Sequence, residues 1–327
     1  MKKAIITGAT GFIGSTLVRK LLLRNIEVLA LGRKNWQDVD PYNLTESKGL
    51  TYIQIDMSEI ATLPSKAKEA GWDSGDSCVF YNFAWGGISG LSDLDVDSQM
   101  NNVTWSANAV HAASELNCQK FVHVGTMEEA FTSKYLSLDF HKNSEYNRHV
   151  IYSVAKMVSR NVLKLVSQQN KIDLIVATNS HVMGPNDNKD SFLQVTLGKL
   201  INKSDELQFS TGEQMFDVIS ADDCALAYMK IGEFGKPFSE YWIGSGKPRP
   251  LKEYVEIMAS LYPSGKELLF GKMPYNDISL MKEDFSIKSL TDDTGFMPSY
   301  EYEDAVHELY SWLTENKLTD ENKLSKY

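Results

Sequence analysis

The sequence predicts an α/β protein built on a doubly wound parallel sheet, with a smaller C-terminal lobe. Three observations carry this expectation. Through the first half of the chain, short β-rich runs alternate with longer runs of helical periodicity. The first β-rich run leads directly into a glycine-rich turn, Thr7-Gly-Ala-Thr-Gly-Phe-Ile-Gly14, which opens an amphipathic helix. Beyond Gly184-Pro185 the alternation stops, and Asn, Asp, Gly and Pro punctuate the chain.

Taken in order, strands are expected at residues 4–7, 26–31, 51–55, 78–83, 121–124 and 174–177. Helices are expected at 12–24, 96–116 and 149–169, where length and periodicity fit. Residues 1–180 then form a Rossmann-like dinucleotide-binding domain. A segment near 214–230 is expected to return to the main sheet, because Val218-Ile219 and a helix starting near Asp222 read as another strand-to-helix unit. Residues 181–213 and 231–327 form the substrate-binding lobe.

With 327 residues, 43% hydrophobic and 23% charged, the chain can bury a full core. Its net charge of -10 argues against nucleic acid or an anionic membrane as partner, since neutralising phosphates in bulk needs a basic excess. No apolar stretch reaches membrane-spanning length. Cys78, Cys118 and Cys224 are an odd, scattered set, which indicates neither a disulfide framework nor a zinc site and fits a reducing, cytoplasmic compartment. Lys2-Lys3 imitates the start of a signal peptide, but Thr7, Gly8, Thr10 and Gly11 interrupt the apolar run and no small-residue cleavage site follows. The six histidines lack ligand spacing and there is no Ser-centred elbow, so neither metal nor acyl-transfer chemistry is indicated.

In the glycine-rich turn, Gly8 permits a tight bend, Gly11 lets backbone approach a pyrophosphate, and Gly14 lets helix and strand pack closely. The helix start at Phe12-Ile13 supplies positive potential. A purely structural turn is the competing reading. The second strand ends at Leu31-Gly32-Arg33-Lys34, where an enzyme specific for NAD more often has an acid to bind the ribose 2′-hydroxyl. A guanidinium suits a 2′-phosphate, so Arg33 favours NADP(H) over NAD, unless it is simply a solvated loop cation.

The spacing Gly8-x-x-Gly11-x-x-Gly14 resembles the fingerprint of short-chain dehydrogenases, in particular the extended branch, the NAD-dependent epimerase/dehydratase family, whose members handle nucleotide-linked sugars. Asn82-Phe83-Ala84-Trp85 resembles that family's cofactor-side segment after the fourth strand. Asn102 falls where the next helix carries an Asn, and Tyr152-Ser-Val-Ala-Lys156 matches YxxxK. Gly184-Pro185 and the stretch from Phe216 to Asp223, a degraded form of the family's RDFIHVxD, extend the likeness over most of the chain. The resemblance implies that Thr7, Gly8, Gly11, Phe12, Ile13, Gly14, Asp56, Met57, Phe83, Ala84 and Asn179 hold the cofactor, Asp56 contacting the adenine unless it only caps a helix.

For chemistry, the resemblance assigns Tyr152 as proton donor or acceptor, Lys156 as its electrostatic partner, and Thr126 as the residue bonded to the reacting oxygen. One turn apart on a helix, the ammonium is positioned to lower the tyrosine pKa. Related dehydratases carry Thr-Asp-Glu where this chain has Thr126-Met127-Glu128, and a thioether cannot protonate a leaving hydroxyl. Dehydration is therefore disfavoured. An NADP-dependent reductase of a nucleotide-activated 4-keto-6-deoxy sugar is the leading expectation, ahead of a nucleotide-sugar epimerase and of a catalytically silent nucleotide-binding regulator. Expected sugar-side residues are Trp85, Met127, Glu128, His181 in the family's Asn position, and Arg249. The last could replace the phosphate-clamping Arg, whose place is taken by Phe216. The two long helices carry apolar stripes, with Val103, Ala107, Val110, Val154, Val158 and Val162, that suit a homodimer, unless packing within the chain uses them.

Overall fold

The computed structural model describes residues 1–75, 77–87, 94–136, 150–187, 190–203, 207–275 and 279–324. They fall into two compact units, one made of Met1–Asn179, Ala225–Ile243 and Ile287–Phe296, the other of Ser180–Cys224, Gly244–Ser286 and Met297–Tyr327.

The first unit opens with β1 (Lys3–Thr7), α1 (Phe12–Leu23), β2 (Glu27–Gly32), β3 (Leu50–Gln54), α2 (Leu63–Glu69), β4 (Cys78–Asn82) and α3 (Val96–Glu115). It continues through β5 (Lys120–Thr126), α4 (Glu128–Leu136), α5 (Val150–Asn170) and β6 (Asp173–Asn179). The second unit begins with β7 (His181–Met183), α6 (Phe192–Ile201), β8 (Leu207–Gln208), β9 (Met215–Phe216) and β10 (Val218–Ser220). The chain then returns to the first unit through most of α7 (Ala221–Phe234) and β11 (Ser239–Ile243), and later through α9 (Lys288–Thr294), while β12 (Arg249–Pro250), α8 (Leu251–Leu261), β13 (Leu268–Leu269) and α10 (Tyr302–Leu324) belong to the second.

Seven parallel strands make the main sheet, in the order β11-β6-β5-β4-β1-β2-β3. The doubly wound expectation is thus met. The central strands are buried on both faces, as in β4, where all five residues are buried, and Phe80 stacks on Phe121 at 5.1 Å. That double burial is why they read as continuous apolar runs. The chain works outward from β1 to β3, then resumes at β4 on the other side of β1. Strand order therefore reverses between β1 and β4, and a crevice at the strand C-termini is the place where such sheets take ligands. Thr7 and Asn82 are register partners at the ends of those two strands.

The return to the main sheet differs from expectation. Residues 218–220 do form a strand, β10, but it pairs with β7 in the second unit. The seventh main-sheet strand is β11, parallel to β6, and residues 231–243 and 287–296 complete the first unit instead of belonging to the lobe. Tyr241 of β11 donates a hydrogen bond to Asp293 of α9 at 2.9 Å. β10 and β7 form a two-stranded sheet of their own, with Val218, Ile219 and Ser220 opposite His181, Val182 and Met183. The edge strand β11 exposes polar residues such as Glu240 and hides only part of its face, which is why its periodicity is weak.

In the second unit, α6, α8 and α10 enclose a core that includes Leu193, Leu197, Tyr254, Val255, Met258, Val306 and Leu309. No described helix is long and apolar enough to cross a membrane.

Candidate active site

The glycine-rich turn folds as its spacing requires. Gly8 has φ of +65°, a conformation that favours glycine, and a Cβ there would sit 3.0 Å from the Ala84 amide nitrogen. A Cβ on Gly14 would approach the Gly8 carbonyl oxygen to 2.3 Å, so α1 packs against the turn only because Gly14 lacks one. Gly11 is exposed and occupies the N-cap position of α1. Beneath the turn, the Thr7 hydroxyl donates to Asn82 Oδ1 at 2.8 Å and accepts from the Ala84 amide at 3.0 Å, tying β1 to β4.

A cleft in the first unit is lined by Thr7, Gly8, Gly11, Arg33, Asp56, Met57, Phe83, Ala84 and Trp85, among others. These sequence-predicted residues are therefore brought together. Phe12, Ile13 and Gly14 are not lining residues; they form the first turn of α1, whose amide end faces any anion placed there. Arg33 is exposed just after β2. Asp56 caps a 3-10 turn at Met57–Thr62 by accepting from the Ser58 amide at 2.9 Å, a bond that holds its carboxyl below the usual carboxylate range, with Arg33 adding to the effect. The capping role is thus realised alongside its place in the cleft wall.

At the other end of the cleft, Gly86 exchanges two hydrogen bonds with Asn102, its amide donating to Oδ1 at 2.7 Å and its carbonyl accepting from Nδ2 at 2.9 Å. Trp85 is clamped by a 2.8 Å bond from its indole N–H to Gln99. Its ring lies over the Lys156 ammonium at 3.9 Å and meets the Tyr152 ring edge-on at 6.1 Å. Trp85 thereby joins the cleft to the predicted catalytic pair.

Lys156 is buried, and its ammonium donates to the Val124 carbonyl at 2.9 Å. Burial pulls its pKa down to about 7, against which the Glu129 charge works. Tyr152 is moved the opposite way from expectation. Burial holds its phenol above the usual tyrosine range, a hydrogen bond with Thr126 offsets part of this, and the charges of Glu129 and Glu128 push it up again. The expected lowering by Lys156 is absent because the ammonium is itself buried, bonded to Val124 and covered by Trp85, 6.0 Å from the Tyr152 ring centre. At neutral pH Tyr152 is a protonated phenol beside Thr126, able to give a proton.

Thr126 ends β5. Met127 follows with its amide bonded to the Asn179 carbonyl at 3.1 Å, and the Asn179 side chain accepts from Tyr228 at 2.7 Å. The Glu128 amide lies 3.4 Å from the Thr126 hydroxyl. Sequence reasoning missed two neighbours. Glu129 is buried, with one oxygen accepting from the Thr126 amide at 2.8 Å and the other from Arg160 at 3.1 Å. His123, beneath Trp85, sits within 3.3 Å of Asn82, and burial together with the Lys156 and Arg160 charges keeps its ring neutral. The signal for Arg160 was present: with Tyr152 and Lys156 it continues one stripe of α5.

In the second unit, His181 is packed against Phe216 at 5.4 Å between ring centres, and burial lowers its pKa to about 4, so it is neutral. Arg249 pairs with Phe216 across β12 and β9 and lies over the Tyr254 ring at 5.8 Å. Asp217, fully buried, accepts from Ser180 at 2.8 Å and from Ser245. It is a staple of this unit. Among the described residues no cluster of His, Cys, Asp and Glu could hold a metal ion.

Residues 4–244 match the model of the family described as "NAD dependent epimerase/dehydratase family". CDP-abequose synthase of Salmonella typhimurium is 24% identical over 314 residues, covering 94% of this chain and 97% of that one. dTDP-6-deoxy-L-talose 4-dehydrogenase (NAD(+)) of Aggregatibacter actinomycetemcomitans is 26% identical over 259 residues, 77% of this chain and 87% of the relative. Among solved structures, the UDP-N-acetylglucosamine 4-epimerase of Methanobrevibacter ruminantium in complex with UDP-N-acetylmuramic acid superposes with a TM-score of 0.77 at 20% identity, covering 96% and 99% of the two chains. The Bordetella bronchiseptica enzyme WbmF in complex with NADH gives 0.77 at 16% identity, with 99% and 95% covered. At these identities the structures show the shared fold.

Proposed function

The chain belongs to the NAD dependent epimerase/dehydratase family, and from that premise we propose that it is a reductase that uses NADPH to reduce the 4-keto group of a nucleotide-activated 4-keto-6-deoxy sugar. The observation that carries this reading is the pairing of a protonated Tyr152, bonded to Thr126, with Met127 where elimination would need an acid. What supports a dinucleotide in the cleft is exposed Gly11, which lets backbone approach, the α1 amide end, which favours phosphate, and Arg33 in the cleft lining, a cation that suits a 2′-phosphate. When bound there, the reduced nicotinamide supplies the hydride.

The protein's own residues do the rest. Thr126 polarises the ketone oxygen, and Tyr152 delivers the proton as the oxygen gains charge. Lys156, whose pKa of about 7 leaves it partly charged at neutral pH, is the electrostatic partner, with Trp85 over it as one wall. Trp85, Met127 and Glu128 face the sugar, while Arg249 and neutral His181 are the second unit's candidates for substrate contact. The likeness to a 4-dehydrogenase of a deoxysugar nucleotide supports redox chemistry at a sugar carbon, and the likeness to CDP-abequose synthase supports a nucleotide-linked sugar as the ligand class. Epimerisation is the second reading, favoured by the family description, which names epimerases beside dehydratases.

Incubation with NADPH and a panel of nucleotide-linked 4-keto sugars tests the proposal. One nicotinamide should be oxidised per sugar consumed, and interconversion of sugars with no net change in nicotinamide absorbance would overturn it. We also propose that the protein is a homodimer, because Val158 (38% exposed) and Leu165 (63% exposed) leave an apolar strip two turns long on α5. Light scattering at micromolar concentration should give twice the chain mass; a monomer mass would contradict it.

A further inference from the structure

We propose that Glu129, locked in place by Arg160, is a positioning residue of this centre, which orients Thr126 through its amide and supplies the anionic counter-charge to Lys156. The inference rests on the reading of Thr126, Tyr152 and Lys156 given above, and on geometry that the reading does not need. One Glu129 oxygen takes the Thr126 amide at 2.8 Å, and the other takes Arg160 at 3.1 Å. Arg160 is held in turn by Glu240 at 2.6 Å. The space for this carboxylate is built into the strand: a Cβ on Gly125 would lie 2.9 Å from Glu129 Oε1 and 3.0 Å from the Thr178 hydroxyl. Glu129 is only 4% exposed.

An ion pair whose carboxylate is buried, as that of Glu129 is while Arg160 stays 22% exposed, is a poor way to stabilise a fold, since apolar residues of similar volume commonly do as well or better. Its place directly behind the reacting centre points to a different use. The groups that face Lys156 are few. Tyr152 and Arg160 share α5 with it, Glu129 comes from α4, His123 and the Val124 carbonyl from β5, and Trp85 follows β4. His123 is neutral and Arg160 is a cation, so Glu129 is the anion acting on Lys156 among the described residues. Thr126 is fixed by the same carboxylate. The hydrogen-bond partner of the ketone and the charge that opposes the effect of burial on Lys156 are thus set together.

The test reads Lys156 directly, without substrate. The protein is labelled with 15N-lysine, the Lys156 side-chain signal is assigned by its loss in Lys156→Met, and its titration is followed by NMR in the unmodified protein, Glu129→Gln, Glu129→Met and Glu129→Asp. The unmodified midpoint should lie at about 7. Both uncharged variants should lower it by on the order of one pH unit, the shift a nearby opposite charge produces, and Glu129→Asp should largely restore it. Two uncharged variants are used so that poor folding of one leaves the other to decide. An unmoved midpoint in either folded variant overturns the proposal, even in a protein that reduces a sugar. A lowered midpoint in a protein that reduces none of the panel supports Glu129 in this role and overturns the reductase reading instead.

Discussion

Tyr152→Phe should abolish turnover, with a loss on the order of the 10²–10⁴-fold that general acid catalysis supplies, while NADPH binding stays nearly unchanged. The phenol, hydrogen-bonded to Thr126, is the proposed proton source, and burial keeps it protonated across the neutral range. Removing the hydroxyl takes away the proton and leaves the ring against Trp85, so the cleft wall keeps its shape. Steady-state rates with the accepted sugar, beside fluorescence titration of NADPH, check both halves. A variant within a few-fold of the unmodified rate would remove Tyr152 from the mechanism.

Arg33→Ala should erase most of the preference for NADPH over NADH. A charge-assisted contact to a 2′-phosphate is worth about 1.5–3 kcal/mol, which corresponds to on the order of 10- to 150-fold in affinity. Arg33 is exposed at the cleft and leaves β2 with no acid at its end to bind a ribose 2′-hydroxyl. The prediction runs against the NADH bound in one structural neighbour, which makes it informative. Dissociation constants for both cofactors, measured for both proteins, decide it. Equal constants in the unmodified protein would assign the cleft to either cofactor and leave Arg33 a surface cation.

Much of the fold was legible because parallel strands buried on both faces leave apolar runs such as Cys78-Val-Phe-Tyr-Asn82, and because a tight turn with Gly8 and Gly14 tolerates few other residues. The edge strand β11 escaped notice, since Ser239 and Glu240 break its apolar run and it follows Gly235 and Pro237. The strands of the second unit, two or three residues long, are too short for any periodicity to register. In the site, Thr126, Tyr152 and Lys156 were found by spacing along the chain. The Arg160 bond to Glu129 spans 31 residues and depends on the space at Gly125, which no local pattern reveals. The pKa of Tyr152 was misjudged for a physical reason: burial of the phenol raises it, and burial also pulls the Lys156 pKa down to about 7, so less ammonium is present at neutral pH to oppose the rise.

In the proposed reaction hydride comes from the nicotinamide and the proton from Tyr152, and no carbon-bound hydrogen is exchanged through Glu128. Turnover of a nucleotide-linked 4-keto-6-deoxy sugar with NADPH in deuterated water, read by NMR of the product, tests it most directly. The account predicts hydrogen from the nicotinamide at carbon 4, no solvent deuterium at carbon 5, and a Glu128→Gln variant that loses little rate. Solvent deuterium at carbon 5 that disappears in Glu128→Gln would contradict it, because Glu128 would then be a base for elimination or epimerisation.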